Sequence, residues 1–322
     1  MQFDLPLPEL EAYRPDVADP DDFDNFWEAQ LGEVGFFPIN ARFEPVSTPL
    51  ATVEVLDVTF SGYGDAQIRG WLLLPRHRSG PLPTIVEYIG YGGGRGLSHE
   101  SLLWSAAGYA HFRMDTRGQG SGWSTGASPD PTDPGDPSVP GFLTKGIQDP
   151  QTYYYVRLFI DAIRAVDAAR CHEAVDGGRI AVAGASQGGG LALAAANLAT
   201  DIVATMADVP FLAHFERAVQ VTDEAPYVEL AKYCSTHRDR IAETFRTLSF
   251  VDVVNHAKRT RIPGLFSVGL ADAVAPPSTV FAAFNWYGGP KTIEVYPYNG
   301  HEGGGAHHDL AKLAFAAEQL GG

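Results

Sequence analysis

The sequence has few cysteines, no long apolar run and no leader pattern. Cys171 and Cys234 are the only cysteines among 322 residues, and their setting matches neither a disulfide framework nor a metal knuckle. No apolar stretch reaches the roughly 18 residues that read as a membrane span. The opening MQFDLPLPELEAYRP lacks the basic and apolar regions of a secretory signal. We therefore expect a soluble protein of a reducing compartment, the cytoplasm.

The sequence also has few positively charged residues. Lys and Arg total 23 against 39 Asp and Glu, which gives a net charge of −16. Such a balance disfavours nucleic acid and anionic membranes as partners, because both are themselves negatively charged, and we expect neither. Hydrophobic residues make up 45% of the chain, which is typical of a globular protein with a sizeable core. The acidic surface is expected to serve solubility.

From residue 51 onward, strand-like runs alternate with helix-like runs. ATVEVLDVTF and QIRGWLLLP flank a turn at residues 61–64 and predict an antiparallel pair. Six further strand-like runs follow: PTIVEYIG, YAHFRMD, RIAVAGA, VATMADV, IPGLFSVG and KTIEVYP. Helical patterns lie between them, among others at 152–169 and 191–198. This alternation predicts an α/β fold with a mostly parallel, eight-stranded sheet flanked by helices.

Three segments fall outside the alternation. Residues 1–50 are rich in Pro and Asp and are predicted to form an N-terminal extension that contains a helix. Residues 120–148 are dense in Gly, Pro and Asp, which predicts a long loop. Residues 211–257 are mainly helical and lie between two predicted strands, so we predict an inserted helical cap. The chain, 1–322, is predicted to be a single domain.

One serine lies among four glycines in the stretch RIAVAGASQGGGLALAAA, residues 179–196. The window GASQG matches G-x-S-x-G, with a predicted strand before it and a predicted helix after it. In that setting Ser186 takes a strained backbone conformation that exposes its hydroxyl, and the flanking glycines avoid collisions. The pattern predicts the nucleophile elbow of an α/β-hydrolase. A chance match is the alternative, because the chain contains 35 glycines.

An elbow of this kind is followed along the chain by an acid and then a histidine, each just past a later strand. Asp272 follows IPGLFSVG, and His301 follows KTIEVYP. We therefore predict a catalytic triad of Ser186, Asp272 and His301. The histidines that precede the Asp272 strand fit this order less well: His214, His237 and His256.

The C-terminal histidines raise the question of a metal site. His301-Glu302 would need a histidine at 305 to complete H-E-x-x-H, and that residue is Gly305. His307 and His308 lie in the last helical segment and are expected at the surface. We expect neither a metal nor an organic cofactor.

A glycine-rich run, GYGGGRG at residues 90–96, follows the strand PTIVEYIG. It fits neither a dinucleotide fingerprint nor a phosphate-binding loop, but it suits an exposed backbone N–H. We predict that the N–H groups of Tyr91 and Gln187 form an oxyanion hole, with a plain glycine-rich turn as the alternative for the first. For Arg117, bracing of the surrounding loops is favoured over contact with substrate.

Together these residues resemble the acetyl xylan esterases and cephalosporin-C deacetylases of carbohydrate esterase family seven. The resemblance covers nearly the whole chain. The matching stretches are RGQ at 117–119, GASQG at 184–188, HE at 301–302, DFDNFW, DVTFSGYGDAQIRGWLLLP, PFLAHFERAVQVTDEAPY and GLADAVAPPSTVFAAFN. It implies the same triad and oxyanion groups, and a small acetyl pocket bounded by Tyr91, Phe211 and Pro226. It also implies a hexameric ring. One departure is Ala275, where the family has a cysteine.

The resemblance implies a serine esterase that removes acetyl groups from small esters, among them acetylated xylo-oligosaccharides and cephalosporin C. His301 would accept the Ser186 proton, and Asp272 would orient His301. The acetyl-enzyme would then be hydrolysed by water. The alternatives are a broad-specificity carboxylesterase or a peptidase of the same fold, and a catalytically silent binding module.

Overall fold

The computed structural model describes residues 2–131 and 141–321. Within these residues nine strands form one sheet, in the order β1-β2-β3-β5-β4-β6-β7-β8-β9. The strands are β1 (Arg42–Val46), β2 (Val53–Ser61), β3 (Gln67–Pro75), β4 (Leu82–Tyr88), β5 (Ala110–Met114), β6 (Val175–Ala185), β7 (Ile202–Asp208), β8 (Gly264–Gly269) and β9 (Lys291–Tyr296). Pairing is antiparallel from β1 through β3 to β5 and parallel from β5 to β9. The predicted mostly parallel α/β sheet is thus confirmed.

The predicted count of eight strands is wrong, because the edge strand β1 was missed. Its sequence, RFEPV, is largely exposed and carries Pro45, which removes a backbone donor. Proline is tolerated on an edge strand, where one side of the backbone has no neighbour. A short polar segment of this kind carries no period-2 pattern. β1 lies within the predicted N-terminal extension, which therefore contributes to the sheet.

Eleven α-helices are present in the same described ranges, and none of them is both long and apolar enough to cross a membrane. They are α1 (Leu7–Glu11), α2 (Phe23–Gly35), α3 (Leu103–Ala106), α4 (Tyr154–Arg170), α5 (Gln187–Leu198), α6 (Phe215–Val221), α7 (Tyr227–Thr236), α8 (Ile241–Ser249), α9 (Val253–Arg259), α10 (Pro277–Trp286) and α11 (Gly305–Leu320).

Both faces of the sheet are covered, as alternation of side chains along β6 shows. Ile180 and Val182 belong to the large core under α4 and α5. Ala181 and Ala183 belong to a smaller core that includes residues of α3 and α11. Because successive strand residues point to opposite faces, a central strand covered on both sides reads as a continuous apolar run. This is why RIAVAGA was recognisable in the sequence.

The predicted cap, 211–257, contains α6, α7, α8 and most of α9 between β7 and β8. α7 contacts α6 and a 3₁₀ turn at Phe142–Thr144, which belongs to the predicted 120–148 loop. α9 instead packs against α5 and α10, so the last helix of the segment is part of the layer that covers the sheet. Residues 132–140 of the loop lie outside the described residues.

Candidate active site

Ser186 stands at the junction of β6 and α5 with a φ of 58° and a ψ of −121°. Such a conformation costs a non-glycine residue on the order of 1–3 kcal/mol and persists only where the surroundings hold it. Here the Ser186 N–H donates to the Asp208 carbonyl at 2.9 Å, and the Ser186 carbonyl accepts from Gly190 and Phe211, each at 3.0 Å. These three backbone bonds fix the turn that presents the hydroxyl.

The glycines around Ser186 are required by close backbone contacts. A Cβ on Gly184 would overlap the backbone of Gly188, and a Cβ on Gly188 would overlap the carbonyl of Tyr88 in β4. Glycine at both positions therefore lets the first turn of α5 lie against the ends of β4 and β6. The collisions expected from the G-x-S-x-G pattern are present in the structure.

His301 and Asp272 meet at the carboxyl end of the sheet. Nδ1 of His301 lies 2.8 Å from Oδ2 of Asp272. The fully buried Asp272 also accepts, through Oδ1, from the N–H groups of Val274 at 2.8 Å and Ala275 at 3.0 Å. With its carboxylate held on both oxygens, Asp272 fixes the proton on Nδ1 and leaves Nε2 as an acceptor.

A cavity of about 370 Å³ brings the predicted residues together. Ser186, His301, Tyr91 and Pro226 all line it. The other lining residues are Glu87, Tyr88, Ile89, Gly90, Arg113, Trp123, Ala185, Ala225 and Val274. The buried Asp272 reaches the cavity only through His301, so the three predicted triad residues form one connected site.

Phe211, predicted to bound the acyl pocket, is not among the lining residues. Its ring is fully buried, 6.1 Å from the Tyr91 ring and 4.7 Å from the Tyr227 ring, both in edge-on geometry. Phe211 therefore supports the wall of the cavity from behind Tyr91 and makes no surface of its own there. The sequence placed it near the pocket but gave no sign of its orientation.

Two backbone donors near Ser186 are unpaired. Among the described residues, neither the Tyr91 N–H nor the Gln187 N–H has a hydrogen-bond acceptor. Gln187 is the first residue of α5, where the helix N-terminus favours negative charge. Tyr91 follows β4 and lines the cavity with Ser186. Two free donors at these positions are what stabilisation of an oxyanion requires.

The side chain of Tyr91 is held by groups that the sequence did not identify. Its hydroxyl lies 2.8 Å from each oxygen of the Glu229 carboxylate, to which it donates. The same hydroxyl accepts from the N–H groups of Gly141 at 3.0 Å and Phe142 at 2.8 Å. Burial and the neighbouring Glu229 raise the pKa of the Tyr91 phenol, so it stays a donor. Glu229 lies on α7, and no sequence motif predicted that it would contact Tyr91.

Gln119 of the RGQ stretch links the two loops that carry the free donors. Its Oε1 accepts from the Gly92 N–H at 2.6 Å, and its Nε2 donates to Oε1 of Gln187 at 2.8 Å. The Gln187 side chain is thereby turned away from the cavity, into a buried network with Tyr155. The resemblance pointed to RGQ, but residue types alone did not give this bridging role.

Arg117 lies away from the cavity. It is 1% exposed and donates to both oxygens of Asp161, at 2.5 and 2.8 Å, and to Asp130 at 3.3 Å. It also donates to the Tyr63 carbonyl at 3.2 Å. These contacts tie the loop after β5 to α4, in agreement with the favoured bracing role.

The expectation that His308 lies at the surface is wrong. Nε2 of the buried His308 is 2.9 Å from Oδ1 of Asp208, and Lys312 lies 3.0 Å from Oδ2 of the same carboxylate. His308 and Lys312 are four residues apart on α11, so both reach the sheet from one face of the helix. A single histidine in a polar segment does not reveal this packing. His307 is exposed, as expected.

The C-terminal histidines pair with two different carboxylates. His301 pairs with Asp272, whereas His308 pairs with Asp208. Within the described part of the chain, no group of three or more His, Cys, Asp or Glu side chains is placed to hold a metal ion.

Comparison of the sequence with known proteins identifies relatives that are described as acetyl esterases. A family model described as acetyl xylan esterase (AXE1) matches residues 1–319. The acetyl esterase Axe7A of Xylanibacter ruminicola is 27% identical over an alignment of 308 positions, which covers 90% of this chain and 65% of that protein. The chain thus spans less than two thirds of the length of this curated relative.

Solved structures agree with the family match. An acetyl xylan esterase from a Paenibacillus species superposes with a TM-score of 0.91 at 39% identity, over 98% of this chain and 100% of that chain. Acetyl xylan esterase 1 from a Thermoanaerobacterium species gives 0.89 at 32% identity, over 98% and 99%. A Pyrococcus horikoshii acylaminoacyl peptidase gives 0.61 at 17% identity, over 90% and 42%, which is a likeness of fold alone. The predicted α/β-hydrolase fold is confirmed.

Proposed function

The chain belongs to the acetyl xylan esterase family, and from that premise we propose that it is a serine esterase that removes acetyl groups from small esters. One observation carries the proposal. A strained serine, a histidine bonded to a buried carboxylate and an unpaired backbone donor, Tyr91 N–H, meet at one cavity, with a second free donor, Gln187 N–H, next to the serine.

The geometry supports acyl transfer in two halves. The Ser186 hydroxyl attacks the acetyl carbonyl carbon while His301 Nε2 takes its proton. The N–H groups of Tyr91 and Gln187 stabilise the oxyanion, and Asp272 stabilises the imidazolium. The carbonyl–alcohol bond breaks, and the leaving alcohol takes the proton from His301. Water then attacks the acetyl-enzyme, with His301 as base, which releases acetate and restores Ser186.

Acetylated xylo-oligosaccharides and cephalosporin C are the proposed substrates. The first is supported by relatives named acetyl xylan esterases, and the second by the resemblance of the sequence motifs alone. The cavity of about 370 Å³ has room for an acetyl group and part of an alcohol. No cofactor has a part in the proposed reaction.

We propose that the chain is a single hydrolase domain with a helical cap, that it forms a hexamer, as the resemblance implies, and that it acts in the cytoplasm. Cys171 and Cys234 are free thiols, which suits a reducing compartment. Sedimentation analysis of the purified protein tests the hexamer, and cell fractionation tests the location.

Acetate release tests the activity directly. We expect hydrolysis of p-nitrophenyl acetate and of acetylated xylo-oligosaccharides, with no cleavage of a peptide anilide. The matched control is the Ser186→Ala protein prepared in the same way. Cleavage of the anilide at a rate comparable to that of the acetate would favour a peptidase, and absence of all three activities in a folded protein would favour a silent binding module.

A further inference from the structure

Trp123 is an exposed aromatic side chain that is nevertheless fixed in place. Its exposed fraction is 64%, and it lines the cavity that contains Ser186 and His301. The indole Nε1–H donates to the Tyr91 carbonyl at 2.8 Å. This bond satisfies the only polar group of the indole, and the rest of the ring system is an apolar surface.

The glycine-rich run after β4 makes room for this ring. A Cβ on Gly93 would lie 2.5 Å from Cζ2 and 2.6 Å from Cε2 of Trp123, and a Cβ on Gly90 would lie 3.4 Å from Cζ2. Any side chain at residue 93 would therefore displace the indole. The run thus has a second role beside exposing the Tyr91 N–H, because it forms the floor on which Trp123 rests.

Polar groups lie in the same cavity. Glu87 of β4 and Arg113 of β5 are neighbours in the parallel pairing of these strands, and both line the cavity. One oxygen of Glu87 lies 2.5 Å from Nε2 of the buried His111, and the Glu87 side chain remains partly exposed. Arg113 presents N–H donors and Glu87 presents carboxylate acceptors, so the two lining residues together can bond to the hydroxyl groups of a polar ligand.

We propose that Trp123 is the stacking platform for the alcohol half of the ester, and that this alcohol is a pyranose whose hydroxyls bond to Arg113 and Glu87. The acetyl group is small and lies at Ser186, so the remainder of the cavity must accept the leaving group. A pyranose presents an apolar C–H face and a polar rim, which match an aromatic ring beside two charged side chains. The inference rests on the proposed function and assigns the residue that positions the alcohol half of the substrate.

The test compares two acetate esters in matched variants. Methyl acetate has no ring to stack, whereas a monoacetylated methyl xyloside does. We expect Trp123→Ala to lower kcat/KM for the xyloside ester about tenfold more than for methyl acetate, mainly through KM. Trp123→Phe keeps a ring but loses the bond to the Tyr91 carbonyl, and it should preserve the ratio of the two esters. The control is Phe36→Ala. It removes another exposed aromatic side chain, at the C-terminal end of α2, which does not line the cavity.

An equal fall for both esters in Trp123→Ala would overturn the proposal, since that result would mean that the residue only holds the Tyr91 loop. Unchanged kcat/KM for both esters in Trp123→Ala would overturn it as well. Binding of unacetylated methyl xyloside, followed by ligand-observed NMR, separates this inference from the proposed function. The wild type should bind it and Trp123→Ala should not, whether or not acetate is released. Equal binding by both proteins would refute the platform.

Discussion

At the scale of single residues, Tyr91 shows how a backbone donor is kept in position by its side chain. Its hydroxyl is anchored to Glu229 and to two backbone N–H groups, and its carbonyl is anchored by Trp123. The free Tyr91 N–H therefore depends on contacts from α7 and from the 120–148 loop. An oxyanion donor acts mainly in the transition state, so its misplacement should appear in kcat.

We expect Tyr91→Phe to lower kcat for p-nitrophenyl acetate by about tenfold with little change in KM, because it removes the anchor and leaves the N–H. Steady-state kinetics of the purified variant check this. Tyr298→Phe is the matched control, since Tyr298 is 94% exposed. An unchanged kcat in Tyr91→Phe would show that the anchor has no part in catalysis.

The residues predicted from sequence are those that a motif or the chain order marks. Ser186, Asp272 and His301 follow strands in the order that this fold imposes, and all three reach one site. Glu229 and Trp123 come from a helix and a loop with no such rule, so only tertiary packing brings them to Tyr91. His308 was misplaced for the same reason, since its burial depends on how α11 meets the sheet.

At the scale of elements, the turn between β6 and α5 is defined by backbone contact. Gly188 has no room for a Cβ, because the Tyr88 carbonyl occupies that space. Gly32, in the exposed part of α2, has nothing within 4 Å of its Cβ position. An added Cβ would therefore collide with backbone at residue 188 and would meet no neighbour at residue 32.

We expect Gly188→Ala to destabilise the protein by about 1–3 kcal/mol, the typical cost of forcing a group into a packed site. Gly32→Ala should be neutral or stabilising by up to about 1 kcal/mol, because alanine is the better helix former. Urea unfolding of both variants measures the two effects. Loss of stability of the same size in both would contradict the contact argument.

The segment before α7 forms one wall of the cavity through Ala225 and Pro226. We expect kcat/KM to fall roughly ten- to hundredfold from acetate to butyrate esters of one alcohol, because added methylenes overpack a small acyl site. Pro226→Ala should reduce that ratio, and Pro38→Ala, at an exposed proline, should not. If wild-type values for acetate and butyrate were equal, the enzyme would instead be a general carboxylesterase.

Elements were predictable where their residues are buried on both faces, and less so at the edges. The inner strands β4 to β8 read as apolar runs, whereas β1 is polar, short and at the edge. The predicted cap, 211–257, was recognisable as helical, but the sequence did not show that α9 packs against the sheet helices.

At the scale of the whole molecule, buried histidines link stability to pH. His256 is fully buried among the rings of Phe23, Trp27 and Phe159. Burial lowers the pKa of His256 from 6.5 to about 3. Below pH 6.5 the unfolded chain takes up a proton that the native His256 does not, so this contribution to stability is lost as the pH falls from 6.5 towards 3.

We expect wild-type stability to fall more steeply than that of His256→Gln between pH 7 and pH 5, by on the order of 2 kcal/mol. Other titrating groups remain in both proteins and cancel in the comparison. They include His214, whose pKa burial lowers to about 4, and Asp252, whose pKa burial raises to about 6. Urea unfolding at the two pH values gives the result, and parallel losses in the two proteins would contradict it.

The account depends most on Ser186 as the nucleophile, and mass spectrometry of the acid-quenched reaction with p-nitrophenyl acetate tests that claim directly. We predict that the peptide containing Ser186 gains the mass of one acetyl group during turnover. Ser186→Ala should gain none while remaining folded, with its rate lower by about 10³-fold or more. An unmodified Ser186 peptide during rapid acetate release, or more than about a tenth of the rate in Ser186→Ala, would contradict the account.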